Sequence, residues 1–423
     1  MVLTVPIQRF VTRHSSTLVV YADQLLVSGF NFISSFVIAR LLGLHGFGIY
    51  SIAWMGVLIA SSIHQPFIIL PLQTLWPKKR GEEKTAYLEA LVFQQLIFAT
   101  LAGFFAFLCV VVVRFTLQGW NINSIILSFP LAVFSFLMQD FFRRYYFAVK
   151  KNHIAILIDA VAYCGLLASA LSINLFHKLD ASMILLLTAL FFLYASLIGL
   201  YNLPHLRFNF RQVKNTIMEN WQFSRWLLAT AVLQWFSGNF FIIASGAILG
   251  PVAIGATRMA QNLVGITHVL FLAMENTIPA KAASIMRESG GIAMLRYLKH
   301  FTLQMGGVVL VILATLILGS GFLISTFYGD EYENYSYMLQ GFCLVYIIVF
   351  TGYPMRYAIR TLENTRSIFY SFVISSCFSV LAAYPFIRWM GLYGILAGLM
   401  ITQLIAFCCY CYALRKELPK VLS

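Results

Sequence analysis

Candidate chemistry in this chain rests on a few polar side chains set inside long apolar stretches. Arg258, Gln261, Asn262, Gly265 and His268 recur at spacings of three and four, so they share one face of a helix. Arg258 lies roughly 10 Å along that helix from Gly250, at 1.5 Å per residue. A guanidinium at that depth faces a cavity, pairs with a partner or snorkels to an interface. Facing a cavity, it binds anions. Gln24, Ser28, Asn31 and Ser35 form a second polar stripe near the start of the chain, with Asp23 beside it. Asp23, Asp140, Asp159, Arg143, Arg144 and Arg225 form a mixed set. Ion pairing is the plain expectation for them; uptake of a coupling proton or sodium ion by Asp23 or Asp159 is the sharper one. His64 and His268 read as satisfied core histidines rather than proton relays. Cys408, Cys409 and Cys411 look like a metal cluster on paper, but 408 and 409 point about 100° apart on a helix and lack paired ligands. They read as small buried residues. No metal and no cofactor is expected.

The elements that carry these residues follow from composition. The chain is 60% hydrophobic and 10% charged, with a mean hydropathy of +0.83. Soluble domains carry about 25% charged residues, and one core cannot hide so much apolar surface. Lipid must be the solvent. About twelve apolar runs have the length of a spanning helix, at approximately 17–39, 47–71, 90–113, 122–142, 154–176, 182–201, 222–249, 252–274, 301–326, 336–356, 368–387 and 392–412. They are continuously apolar rather than alternating, which selects helices over a β-barrel. The expected fold is an all-α polytopic membrane protein.

The chain also repeats itself. Leu42-Gly43-Leu44-His45-Gly46-Phe47-Gly48-Ile49-Tyr50 is echoed 207 positions later by Leu249-Gly250-Pro251-Val252-Ala253-Ile254-Gly255-Ala256-Thr257. Arg144-Tyr145 and Asn152 meet Arg356-Tyr357 and Asn364 at an offset of 212. Two related six-helix bundles, residues 1–210 and 211–423, around a central cavity account for this. The eighth run is polar where its partner, with Ser51, Trp54, Met55, Leu58 and Ser61, is not, as a binding wall would be. Pro66, Pro71, Pro130, Pro279, Gly238 and Gly246 mark places where helices bend or end. The longest loops are expected near 72–89, 202–221 and 275–300, all rich in Lys and Arg. That bias places these loops and both termini in the cytoplasm, so the net charge of +14 is mostly topological. The basic residues form no nucleic-acid motif. No signal peptide is evident. No external loop is large enough for a catalytic domain, and no nucleophile–base pair stands out, so an enzyme is not expected.

The segment Ala39-Arg40-Leu41-Leu42-Gly43 followed by Phe47-Gly48-Ile49-Tyr50-Ser51 resembles the first-loop signature of bacterial polysaccharide biosynthesis proteins. These are O-antigen-type oligosaccharide flippases of the multidrug/oligosaccharidyl-lipid/polysaccharide exporter superfamily. Leu44-His45-Gly46 replaces the Pro-Glu-Glu-like filler usual there. The resemblance extends over essentially the whole chain and marks the superfamily better than the substrate. It implies a multi-pass protein of the bacterial inner membrane that moves an undecaprenyl-diphosphate-linked oligosaccharide to the external leaflet. On that reading Arg258 and Arg225 hold the diphosphate, and Asn31, Gln24, Gln261, Asn262, Gln234 and Trp235 meet the sugars. Its partners are this lipid-linked substrate, membrane lipids and polysaccharide assembly proteins. The peptidoglycan-precursor flippases carry extra helices after the twelfth, and the end of this chain argues against that branch. A cation-coupled multidrug antiporter on the same fold, or a transport subunit of a synthase–export complex, are the alternatives.

Overall fold

The computed structural model describes the backbone of residues 4–116, 122–203, 207 and 209–422, and the side chains of 29–115, 123–203, 207, 209–275 and 277–417. Among them there is no strand. Among the described residues, twelve helices of membrane-crossing length result once two long ones are divided at glycines with non-helical backbone, Gly43 and Gly290, and pieces separated by a π-helical turn or by the Gly265–Ile266 turn are counted as one. They are α1 (4–42), α2 (44–74), α3 (Gly81–Thr116), α4 (Ser128–Ala148), α5 (152–174), α6 (Ala181–Tyr201), α7 (Phe210–Leu249), α8 (251–289), α9 (291–318), α10 (Ser336–Thr361), α11 (Thr365–Met390) and α12 (Leu392–Leu422). Their outer surfaces are apolar: Leu101, Phe104, Phe105, Val112 and Phe115 on α3 are all exposed. Such a surface belongs in hydrocarbon, and the chain is a multi-pass membrane protein.

Three of the breaks recur in both halves of the chain. Gly43 (φ 66°, ψ 175°) and Gly250 (φ 92°, ψ −178°) adopt almost the same backbone, 207 residues apart. Gly81 and Gly290 both have positive φ, where glycine alone is unstrained. Lys150 and Glu363, at the α4–α5 and α10–α11 turns, repeat a third positive φ. Several helices run on through charged sequence, because Lys, Arg and Glu are good helix formers. The stretches 72–89, 202–221 and 275–300 are therefore largely helical extensions rather than loops. Pro279 lies inside a helix that runs on to Gly290 instead of ending at the proline. Gly238 and Gly246 lie within the unbroken α7. Pro66 opens a π-helical turn, Gln65–Ile69. Cys408 is exposed and Cys409 and Cys411 are half-buried, so of the cysteines only Cys343 is buried.

Two compact units form. The first holds residues 1–42 and 53–231; the second holds 43–52 and 232–423. In the first, α4 packs against α3, α5 and α6. The start of α7 is tied in by polar bonds: Tyr87 Oη donates to Asn220 Oδ1 at 2.6 Å, and Asn220 Nδ2 to Gln94 Oε1 at 2.8 Å. Lys79 reaches Glu83 (2.9 Å) and Glu219 (3.0 Å). Burial disfavours the charge on Lys79, but the two carboxylates outweigh it and hold its pKa above the ordinary value. In the second unit α10 packs against α8 and α12, and α12 against α11.

The two glycine motifs meet inside the second unit. A Cβ on Gly48 would overlap the carbonyl of Pro251, and a Cβ on Gly255 would lie 2.6 Å from the carbonyl oxygen of Leu44. Residue 48 corresponds to 255 and 44 to 251, so the contact is reciprocal. Only glycine lets two backbones approach so closely. Leu44 N–H donates to Glu331 Oε1 at 3.2 Å, and Phe47 packs on Tyr328 and Tyr332.

Candidate functional site

Gly250, with its positive φ, caps the segment Pro251–Val264 of α8, and Pro251 sits at a first-turn position where its missing N–H is not needed. Small residues let this segment go deep: Ala253 to Ala260 are all buried. Arg258 is among them, 8% exposed. Its Nη1 donates to Gln261 Oε1 one turn on, at 2.6 Å. The ionisable groups electrostatically beside it are Tyr346 and Tyr50. No carboxylate pairs with it among the described residues. Tyr346 Oη is hydrogen-bonded to His268 Nε2 at 2.8 Å, the satisfied state expected of that histidine. Arg258, Gln261, Tyr346, His268 and Tyr50 thus form one polar cluster in the second unit.

An arginine offers five donors and no acceptor. Buried without a carboxylate, its charge carries a desolvation penalty of several kcal/mol, in order of magnitude. An incoming anion offsets that penalty and accepts hydrogen bonds from the remaining N–H donors. The cluster is therefore suited to an oxyanion such as a phosphate.

The other predicted residues are placed as follows. Asn262 is half-buried beside Gln261. On α7, Gln234 is exposed and Trp235 half-buried, edge-on to Phe236. No hydrogen bond among the described residues joins either to Arg258. In the first unit Asn31 hydrogen-bonds Tyr163, and Arg225 is exposed. Asp159 is buried and accepts from Arg143 Nε at 2.6 Å and Gln139 Nε2 at 2.7 Å. Asp140 accepts from Arg144 Nε at 2.8 Å and Gln65 Nε2 at 3.1 Å, with His64 Nδ1 at 3.6 Å. His64 Nε2 meets Gln95 Oε1 at 2.7 Å. Asp23 and Gln24 lie outside the residues whose side chains are described.

Sequence reasoning missed Tyr50 and Tyr346, which look like any aromatic in an apolar run. Tyr50 carried a usable signal, as the last residue of the glycine motif. Gln139 was also missed, although its spacing of four to Arg143 places both on one face of α4.

No family model matches the chain, and no curated relative matches it by sequence. Solved structures do. An inward-facing multidrug resistance MATE family transporter of the MOP superfamily aligns with a TM-score of 0.72 at 12% identity, over 95% of this chain and 98% of that one. The lipid II flippase MurJ, in an inward closed conformation, aligns with a TM-score of 0.72 at 13% identity, over 93% and 87%. A MOP superfamily transporter from Pyrococcus furiosus, for which reversed polarity of the binding pocket is taken to suggest a different function, aligns at 0.61 and 12% identity, over 96% and 95%. At these identities the likeness is one of fold: twelve helices in two bundles.

Proposed function

We propose that this protein is a flippase of the bacterial inner membrane. It moves an undecaprenyl-diphosphate-linked oligosaccharide from the cytoplasmic to the external leaflet by alternating access. The observation that carries the reading is Arg258: a guanidinium 8% exposed, inside a spanning helix, bonded to Gln261 and without a carboxylate partner among the described residues. A dianionic diphosphate is the ligand such a group fits best. The two repeats, residues 1–210 and 211–423, are the rocking halves. Arg225 adds a second cation, and Asn31, Gln24, Gln234, Trp235, Gln261 and Asn262 contact sugars. Both termini are cytoplasmic, and polysaccharide assembly proteins receive the product.

The multidrug antiporter is less well supported. It calls for an acidic, cation-holding wall, whereas Asp140 and Asp159 are each paired with an arginine. Of the two ion-coupling candidates, Asp159 would need to exchange Arg143 for a proton or sodium ion; Asp23 is the other.

The reading is tested by complementation in bacteria lacking their own repeat-unit flippase. Wild type restores surface polysaccharide, and Arg258→Ala at equal protein level does not. Failure to rescue across several sugar backgrounds, together with raised resistance to cationic drugs, selects the antiporter instead.

A further inference from the structure

A second cationic station lies at the end of the second unit next to the basic α10–α11 turn. On α10, Tyr353, Arg356, Tyr357 and Arg360 share one face by their spacing of three and four. Glu275 on α8 faces them. Arg360 Nη1 reaches its Oε1 at 2.9 Å, a normal charge-assisted bond, but Arg356 Nη2 stays at 3.4 and 3.5 Å. Arg356 Cζ lies 4.5 Å over the ring of Tyr353. Its Nε and the hydroxyl of the fully buried Tyr357 have no hydrogen-bond partner among the described residues. Tyr357 is electrostatically next to Glu275, Arg356 and Arg360. Side-chain exposure rises from 12% at Arg356 to 35% at Glu275 and 42% at Arg360, so the group opens at one end.

The first unit supplies an internal control. Arg144 corresponds to Arg356 in the repeat. There, two carboxylates, Asp140 and Asp159, serve two guanidiniums, at 2.8 and 2.6 Å. In the second unit one carboxylate serves two guanidiniums and holds one of them loosely. One copy matches each guanidinium with a carboxylate; the other keeps a positive charge over. Ion pairing for stability alone does not require that difference. The face also continues toward Arg258. Phe271 on α8 stacks on Tyr346 and Phe350 and packs on Tyr353. Tyr346, in the Arg258 cluster, is ten residues from Arg356, or about 15 Å along a helix.

We propose that Arg356, Arg360 and the Tyr357 hydroxyl form a binding site for the phosphate of a lipid-borne phosphate monoester or diphosphate, with Glu275 as a displaceable counter-ion. Glu275 partly compensates the two guanidiniums while the site is empty. A phosphate displaces it and accepts from both arginines and the hydroxyl. The inference rests on the transport reading only for the identity of the natural lipid, and binding here does not require Arg258.

The test measures binding by native mass spectrometry and by titration of detergent-purified full-length protein. The probes are farnesyl diphosphate, inorganic pyrophosphate and phosphatidylcholine, and the background is Arg258→Gln, so that the other cluster does not contribute. Farnesyl diphosphate binds in that background, more tightly than pyrophosphate, and phosphatidylcholine does not compete. Adding Arg356→Gln or Tyr357→Phe weakens binding about tenfold, the effect of one charge-assisted hydrogen bond. Glu275→Gln strengthens it several-fold, in order of magnitude, by freeing the arginines. Tyr357→Phe removes one oxygen and leaves the melting temperature unchanged, which separates loss of ligand from loss of fold. Equal affinity for all probes, or indifference to Tyr357→Phe and Arg356→Gln, overturns the site. Pyrophosphate binding as tightly as farnesyl diphosphate overturns the lipid-borne ligand. These outcomes are independent of complementation by Arg258 variants, so either reading can fail alone.

Discussion

Burial gives the charged residues of this protein opposite tasks. Arg143 and Asp159 neutralise each other in the first unit, at 12% and 6% side-chain exposure. Removing one partner of such a pair strands the other charge and typically costs about 3–5 kcal/mol. Asp159→Asn is therefore expected to lower thermal stability in detergent markedly, and Arg143→Gln added to it to restore part of the loss. A double-mutant cycle reads the coupling directly; independent, additive effects would contradict the pairing. Arg258, without a carboxylate, behaves differently. Arg258→Gln is expected to leave stability unchanged or improved, because the buried charge is gone, while transport falls steeply. Tyr346→Phe removes the hydroxyl from His268 and is expected to cost about 1 kcal/mol, visible as a small drop in melting temperature. The polar faces were legible in the sequence, since Arg258 and Gln261 are one turn apart. Their tyrosine partners were not, because an aromatic residue declares its hydroxyl contact only once another helix is placed beside it.

At the scale of the elements, glycines set the architecture. Gly48 and Gly255 are the two sides of one reciprocal backbone contact. Gly48→Ala and Gly255→Ala are each expected to destabilise by about 1–3 kcal/mol through forced separation. The double substitution should cost less than the sum, since the first separation already relieves the second. Full additivity, measured by thermal unfolding, would contradict a shared contact. Gly250→Ala adds no clash but places a side chain at φ 92°, and is expected to cost about 1–2 kcal/mol. Both motifs were readable as a repeat, and the apolar runs located the twelve helices. Helix ends were read less well. Polar composition in 275–300 looks like a loop, yet helix propensity carries α8 through it to Gly290. Pro279 interrupts the backbone bonding of one turn without ending the helix.

Over the whole molecule, duplication links sequence to fold and divergence links fold to function. The repeated positive-φ positions show that both halves of the chain are built on one backbone plan. Compactness, however, groups residues 43–52 with the second unit and 210–231 with the first. Periodicity along a sequence carries no information on which helix a segment packs against, so this exchange was not legible. Two differences between the halves are cationic in the second: Arg258 in place of Ser51, and an arginine pair with one carboxylate where the first unit has two. On the proposed reading this cationic half handles a lipid diphosphate. Its most direct test is leaflet transfer of a fluorescent polyprenyl-diphosphate sugar in proteoliposomes containing wild type, Arg258→Lys or Arg258→Gln. Transfer by wild type, partial transfer with Lys and a fall of about two orders of magnitude with Gln is the predicted result. Equal transfer by all three, or transfer of a cationic dye in place of the diphosphate lipid, would contradict it.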